Sequence, residues 1–337
     1  MPFSGRELSA RMLLYGLNQL GRLVATPFQL VASGSFSPRA ATMVQQIRTR
    51  RPSTYVEKIR YKMARDRRPL LALFADKVAV RGYVEAHTGP SRLSRIYSVA
   101  SRFQDLDWQA VPEEYVLKVN HGCKGLIVVT RNAKTDSRLP PLDAKKPWRL
   151  HIVHPSALDR TLMKEWVDHW LTLSYNWRRW KYLEWPYSQI SRKVFIEEFL
   201  GAGLLLARNI KVICFHGQVA SLILTTVRAD GTEVADGRFS AWELDGLSAL
   251  SKISLAELAH VVTDSAELAR ETDFVRVDWV ISPRGPIFGE MTNFPAAGGL
   301  PAGPSLTSTA EEVNELYSSL WKVPLSYDEL PSGDYNF

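Results

Sequence analysis

Cysteine is scarce in this chain. Its 337 residues hold two, Cys123 and Cys214, with no partner pattern around them, so neither a disulfide framework nor a structural zinc site is expected. Long apolar runs are missing as well. The N-terminal stretch is apolar in part, but Arg6, Arg11, Asn18, Gln19, Arg22 and Gln29 interrupt it. It falls short of the roughly 20 residues a spanning helix needs, and it lacks the shape of a secretory signal. There is no low-complexity tract, no solenoid period and no recognised nucleic-acid motif. These absences leave a cytoplasmic protein with no nucleic-acid partner as the expectation.

What is present is ordinary apolar content, 45%, and a net charge of +7. That content suffices for one large domain or two to three intimate subdomains. The charge is unevenly placed. Residues 1–70 carry 13 Lys or Arg against 3 Asp or Glu, and the remainder carries 29 against 32. A solvated basic arm, attraction to an acidic substrate and peripheral contact with an anionic inner membrane face all fit that surplus. Leu13, Leu14, Leu17, Leu20 and Val24 fall near helical spacing, as on a face packed against the protein's own body or a membrane.

Periodicity predicts helix through much of residues 1–55, a helix from Lys77 to about Glu85 capped by Asp76, and amphipathic helices over Asp159–Leu173 and Leu255–Glu271. Ser94–Phe103 shows no clean period. Strands are predicted at Tyr115–Asn120, Leu126–Thr130, Lys193–Leu200, Ile210–Phe215, Val219–Thr226, Phe274–Ile281 and Pro286–Met291. The first two should form an antiparallel hairpin, with further turns at Gly217-Gln218 and Pro283-Arg284-Gly285. The fold class is therefore α+β, with antiparallel sheets flanked by helices.

Several polar residues stand where the apolar rhythm does not call for them. Arg276 and Asp278 lie two apart on a predicted strand and so share a face. Glu290 and Thr292 repeat the relation on the next strand, and the intervening turn would bring Asp278 and Glu290 together. Two carboxylates on one face suit a hard cation such as Mg²⁺, with Arg276 placed for a phosphate or carboxylate; a surface salt-bridge ladder is the plainer reading. Lys118 interrupts an apolar strand just before His121-Gly122-Cys123-Lys124-Gly125, and a lysine there calls for an anion. Glycine beside a strand lets backbone N–H groups approach phosphate oxygens. Lys211 leads another apolar run. Glu197-Glu198-Phe199-Leu200 closes a buried strand before Gly201-Ala202-Gly203 and offers hinge backbone to a nucleobase. Six of the ten tryptophans lie between Trp148 and Trp185, as a packed lid or an aromatic acceptor platform.

In order and spacing these pieces resemble the ATP-grasp superfamily, in its teichuronopeptide-biosynthesis (TupA-like) branch. The matching stretches are Arg68-Pro-Leu-Leu, Asp76-Lys77, Val80-Arg81, Tyr83-Val84, Val116 to Gly122, Glu197 to Leu200, Lys211 to Phe215, Val275 to Asp278 and Phe288 to Thr292 with Pro295, spread over residues 60–325. The resemblance implies an ATP-grasp fold: a basic extension over 1–55, a substrate-side subdomain over 56–107, and two subdomains, 108–200 and 201–330, clasping ATP. It implies that Lys118 and Lys211 hold the phosphates, that His121 to Gly125 closes over the γ-phosphate, and that Glu197 to Leu200 lines the adenine. Asp278 and Glu290, with Thr292 and Asn293 beside them, would bind Mg²⁺, and Arg276 would face the transferred phosphoryl group. Arg81, Arg178, Arg179, Trp185 and Tyr187 are the substrate candidates. The implied reaction is carboxylate–amine ligation at the expense of ATP, acting on small acids and amines or on an acidic glycan or its lipid-linked precursor. Phosphoryl transfer to a hydroxyl and a non-catalytic glycan- or membrane-binding module are the rival readings. The sequence departs from the wider pattern at Thr292, where asparagine is usual, at Asn209, where an acid is usual, and at Cys123 in the loop.

Overall fold

Among the described residues, ten strands with apolar faces build two five-stranded sheets, each covered on one side by helices. The computed structural model describes residues 51–175, 184–201, 208–227, 233–299, 310–327 and 330. The expectations for residues 1–50 lie outside these.

Among the described residues, three short helices come first: α1 (Tyr55–Arg65), α2 (Pro69–Ala75) and α3 (Val80–Thr88). Thr54 and Glu57 form a reciprocal capping box at the start of α1, satisfying N–H groups that the first turn leaves without partners. The first sheet follows, with β1 (Ile96–Ala100), β2 (Tyr115–Val119), β3 (Leu126–Val129), β4 (Leu150–Val153) and β5 (Val194–Glu198) in the order β1-β5-β2-β3-β4. Every pair is antiparallel except β3 with β4. Helix α4 (Arg160–Thr172), capped by Asp159, covers this sheet. Its buried stripe is Met163, Trp166, Val167 and Trp170. Leu162 sits at its margin.

The second sheet has the order β10-β9-β6-β7-β8 and is antiparallel throughout. Its strands are β6 (Arg208–Phe215), β7 (Gln218–Val227), β8 (Glu233–Phe239), β9 (Phe274–Ser282) and β10 (Gly285–Thr292). Helices α5 (Leu244–Ser251) and α6 (Leu255–Leu268) pack on it, and α7 (Ala310–Leu320) follows near the C-terminus. Trp279 donates its indole N–H to Ser265 Oγ on α6 at 2.8 Å. A fully buried side chain of this size contributes about 3 kcal/mol.

Two expectations change here. Ser94–Phe103, which shows no period, contains the edge strand β1, whose pairing to β5 is supplied by a segment about a hundred residues later. Asp76 does cap a turn, since Oδ1 accepts from the N–H groups of Val78 and Ala79 at 2.9 and 3.2 Å, but the helix proper starts at Val80.

The division at residue 107 is not a division between cores. Tyr55, Ile59, Met63, Leu70, Phe74 and Tyr83 share one core with Val212, Phe274 and Trp321 of the second half, whereas Phe103 and Leu106 join the core of the first sheet. The physical reason is a buried charge cluster. Lys62 bonds Asp66 at 2.7 Å and also pairs with Asp273 at the mouth of β9. Arg68 bonds Asp66 at 2.8 Å, and Trp321 and Tyr327 donate to Asp273 Oδ2 at 2.8 and 2.9 Å. Buried charges persist only when paired and hydrogen-bonded in this way.

Candidate functional site

The β9–β10 hairpin carries the acidic pair. Its register begins with Gly285 opposite Ser282 and would place residue 289 opposite Asp278. A bulge between Phe288 and Glu290 shifts the register by one, so Glu290 faces Asp278 and Thr292 faces Arg276. Gly289 permits this approach, since a Cβ there would stand 3.1 Å from the Asp278 carbonyl oxygen. On the other side of β9, Lys211 of β6 is the register partner of Asp278. One face of three strands thus presents Lys211, Asp278, Arg276, Glu290 and Thr292 together.

The contacts are close. Arg276 donates to both Asp278 oxygens at 2.6 and 2.7 Å, to Thr292 Oγ1 at 3.0 Å and to Glu290 Oε1 at 3.4 Å. Lys211 Nζ lies 2.7 Å from Glu233 Oε2 and 3.5 Å from Asp278 Oδ2. Burial works against a charged Lys211, but Asp278 and Glu233 outweigh it and raise its pKa. Burial likewise disfavours ionised Glu290, but Lys77, Arg276, Lys211 and Lys118 overrule it and hold this carboxyl at about 2. That list of cations shows that the site draws on three parts of the chain. Lys118 comes from β2 of the first sheet, where it pairs with Glu197 of β5. Lys77 comes from the α2–α3 turn and reaches Glu290 Oε2 at 3.4 Å.

The glycine loop after β2 follows from local sterics. Gly122 and Lys124 adopt positive φ, 84° and 65°. A Cβ on Gly122 would meet Tyr175 at 2.8 Å and Trp148 at 3.0 Å, and one on Gly125 would meet Trp148 at 2.9 Å. The loop is therefore seated on an aromatic floor, which is what Trp148 of the tryptophan-rich stretch is for. Cys123 and Lys124 are exposed at its tip.

His121, expected to close with the loop over the phosphate, lies at the start of that loop with its side chain packed inward. Its ring is buried, with Nε2 3.2 Å from the Trp170 carbonyl and the ring edge-on to Trp148. Burial, and then Arg192, push its pKa down to about 4, so it stays neutral and turned from the charged face. Asn293, expected beside the metal carboxylates, is buried as well. It follows the last residue of β10, where face alternation carries it away from Glu290 and Thr292, and its buried amide donates to the Leu71 carbonyl at 2.8 Å. Glu197 accepts from Ser94 Oγ at 3.3 Å and pairs with Lys118, whereas Glu198 points the other way, to Arg284 in the β9–β10 turn at 2.6 Å. Phe199 and Leu200 are half-buried beyond β5, with the Phe199 ring over Gly201.

Among the substrate candidates, Arg81 binds the carbonyl and hydroxyl of Ser94. Trp185 is a buried anchor whose indole donates to the Asp66 carbonyl at 2.8 Å. Tyr187 packs edge-on to Tyr175 with centroids 4.8 Å apart. Arg178 and Arg179 lie outside the described residues. Lys77 is the residue that the reading of isolated features missed; its one signal was the Asp76-Lys77 pair within the resemblance.

The donor chemistry suits magnesium nucleotide. Among the described residues no three His, Cys, Asp or Glu side chains gather into a cage. Two carboxylates with retained lone pairs beside four cations are what Mg²⁺ shared with phosphate oxygens requires, since this ion is bound through one or two carboxylates plus the phosphates. Also among the described residues, no helix is long and apolar enough to cross a membrane.

Comparison with known proteins places this geometry in a family. No curated protein matches the chain. Similar solved structures include the D-alanine–D-alanine ligase from Bacillus anthracis in complex with ATP, at 15% identity and a TM-score of 0.39 over 74% of this chain and 63% of that one. The VanG D-Ala:D-Ser ligase from Enterococcus faecalis matches at 11% and 0.39, over 74% and 62%. The ATP-grasp ligase PsnB, complexed with a minimal precursor, matches at 11% and 0.37, over 74% and 62%. The chain thus spans less than two thirds of the length of these structures. The family description TupA-like ATPgrasp matches residues 57–303, a span that takes in Lys77, both sheets, the glycine loop and the acidic hairpin, and the chain belongs to that ATP-grasp family.

Proposed function

We propose that the chain is an ATP- and magnesium-dependent carboxylate–amine ligase. The observation that carries this reading is the convergence of Lys77, Lys118, Lys211 and Arg276 on the Asp278–Glu290 pair, from both sheets and the α2–α3 turn. Four cations and two hard carboxylates are the toolkit of phosphoryl transfer, which depends on positioning and charge neutralisation.

In this reading Lys118 and Lys211 bind the triphosphate, the loop from Gly122 to Gly125 covers its end, and the Glu197–Leu200 strand end borders the adenine. Asp278 and Glu290, with Thr292 beside them, would hold Mg²⁺, which supplies neutralisation of charge on the phosphate oxygens. Arg276, fixed between Asp278 and Thr292, is aimed at the phosphoryl group in transfer. A substrate carboxylate oxygen attacks the γ-phosphorus and ADP leaves with the bridging oxygen. The amine then attacks the acyl carbon, inorganic phosphate departs and the nitrogen loses a proton. The basic surplus of residues 1–70 supports an acidic acceptor, such as a uronic-acid glycan or its lipid-linked precursor, handled at the inner membrane face of the cytoplasm.

The test is an ADP-release screen of amino acids and uronic-acid sugars, with and without Mg²⁺, with hydroxylamine present to trap an acyl phosphate as hydroxamate. ADP release that requires an acid and an amine is expected. Turnover on a hydroxyl compound with no hydroxamate would convert the reading to a kinase, and no acid-stimulated turnover would overturn it.

A further inference from the structure

One side chain links the glycine loop that follows β2 to the charged face of the second sheet. Lys77 Nζ lies 2.7 Å from the carbonyl oxygen of Gly122 in the glycine loop and 3.4 Å from Oε2 of Glu290 on β10. Its backbone is pinned as well. The Lys77 N–H donates to the Asn120 carbonyl at 3.1 Å. The neighbouring Asp76 Oδ1 accepts from Asn120 Nδ2 at 3.0 Å while capping the turn into α3. Asn120 is itself buried and bonded to the Ser191 carbonyl and the Lys193 N–H, at 2.9 and 2.8 Å. The α2–α3 turn is therefore bolted to the root of the loop, and only the lysine arm extends from it toward the carboxylates.

A flexible ammonium with three donors is suited to such a post. Two of its directions are taken by the Gly122 carbonyl and Glu290. The Lys77 side chain retains 18% exposure, so it borders the cleft and is not sealed in the core. In the loop it holds, Gly122 and Gly125 rest on Trp148 by van der Waals contact, and Cys123 and Lys124 are exposed at the tip.

We propose that Lys77 is a positioning residue of the nucleotide site, an ammonium strut that holds the glycine loop over Glu290 and thereby couples closure of the loop on a triphosphate to the metal-binding carboxylate. The inference rests on the ATP-site reading given above and adds to it a residue from outside both sheets. It assigns the α2–α3 turn, and not the sheets alone, the setting of loop position.

The test uses the full chain and ATP with Mg²⁺. Calorimetric affinity for ATP is measured across a Mg²⁺ titration for the wild type, Lys77→Met and Lys77→Arg. In parallel, mass spectrometry follows tryptic cleavage after Lys124 with and without nucleotide. We expect Mg-ATP to protect the Lys124–Gly125 bond in the wild type. We expect Lys77→Met to bind Mg-ATP about 10- to 100-fold more weakly, a size typical of one charge-assisted contact, to need more Mg²⁺ for half-saturation and to lose the protection. Lys77→Arg should recover part of both. Lys77→Gln, which keeps a donor for the Gly122 carbonyl, serves as the neutral variant if Met lowers the melting temperature. Equal affinity and equal protection in the neutral variant overturns the role of Lys77, as does an arginine variant no better than the neutral one. A wild type that fails to bind Mg-ATP at all overturns the ATP-site reading itself, so the two failures are told apart.

Discussion

The two halves of the molecule bury polar groups in opposite ways. The first sheet buries mainly neutral groups, Asn120, His121 and His151, the last lodged against Trp166 and Trp170 with its Nε2 unbonded, and one charged exception, Glu197, paired with Lys118. Around the second sheet, beside neutral hydroxyls such as Ser221 and Ser265, stand matched charges: Lys62 and Arg68 with Asp66 and Asp273, then the half-buried Arg276 and Lys211 with Asp278. In a neutral interior the loss of one partner costs about 1–3 kcal/mol. In a charged interior it costs more, because removing one ion strands its mate in low dielectric.

Four measurements break or sharpen that contrast. The largest effect is expected at Asp278→Asn, which keeps shape but removes the charge that fixes Arg276 and Lys211: turnover should fall about 10³-fold, at the upper end for loss of one electrostatic stabiliser, and the melting temperature should fall as well because the two cations lose their counter-charge. Second, Lys62→Met should lose about 3–5 kcal/mol of stability by chemical denaturation, because Asp66 and Asp273 are left facing one another. A loss under 1 kcal/mol would show that the cluster is dispensable.

Third comes acid. His121 and His151 are both held at about 4, burial being the first cause in each, below the ordinary 6.5. The unfolded chain therefore takes up these protons below about pH 6.5 and the folded chain only near pH 4. Stability is full above 6.5 and declines as pH falls through that window, by about 1.4 kcal/mol per pH unit for each histidine. His151→Phe should flatten the decline by one proton in a series of unfolding curves, and an unchanged slope would remove His151 from the account. Smallest is Glu198→Gln, which breaks the half-exposed pair with Arg284. A surface pair of this kind is worth at most about 1 kcal/mol, so a larger drop in melting temperature would mark it as a true tie between the sheets.

Much of the second sheet was legible because its signals are local. Arg276 and Asp278 two apart, a turn at Pro283–Gly285 and an acid on the returning strand suffice to bring the carboxylates onto one face. That they stand directly opposite depends on the bulge at Gly289, which no period of two announces. The burial of Asn293 was not legible because its partner, the Leu71 carbonyl, lies 222 residues away. His121 read as a loop residue because its partner, the Trp170 carbonyl, lies 49 residues away. Lys77 and β1 were hidden for the same reason. Their meaning comes from Glu290 and Glu197, which are close only after the chain has folded.

The shared core of α1 and the second sheet bears on how the chain is made. Lys62 and Asp273 are separated by 211 residues, so the first helices leave the ribosome long before their counter-charges exist. Until β9 emerges, Tyr55 lacks Phe274 and Lys62 lacks Asp273. Closure of so long a loop comes late and slowly, and the proposed nucleotide cleft, which takes Lys77 from the front of the chain and Glu290 from the back, is among the last parts of the protein to exist.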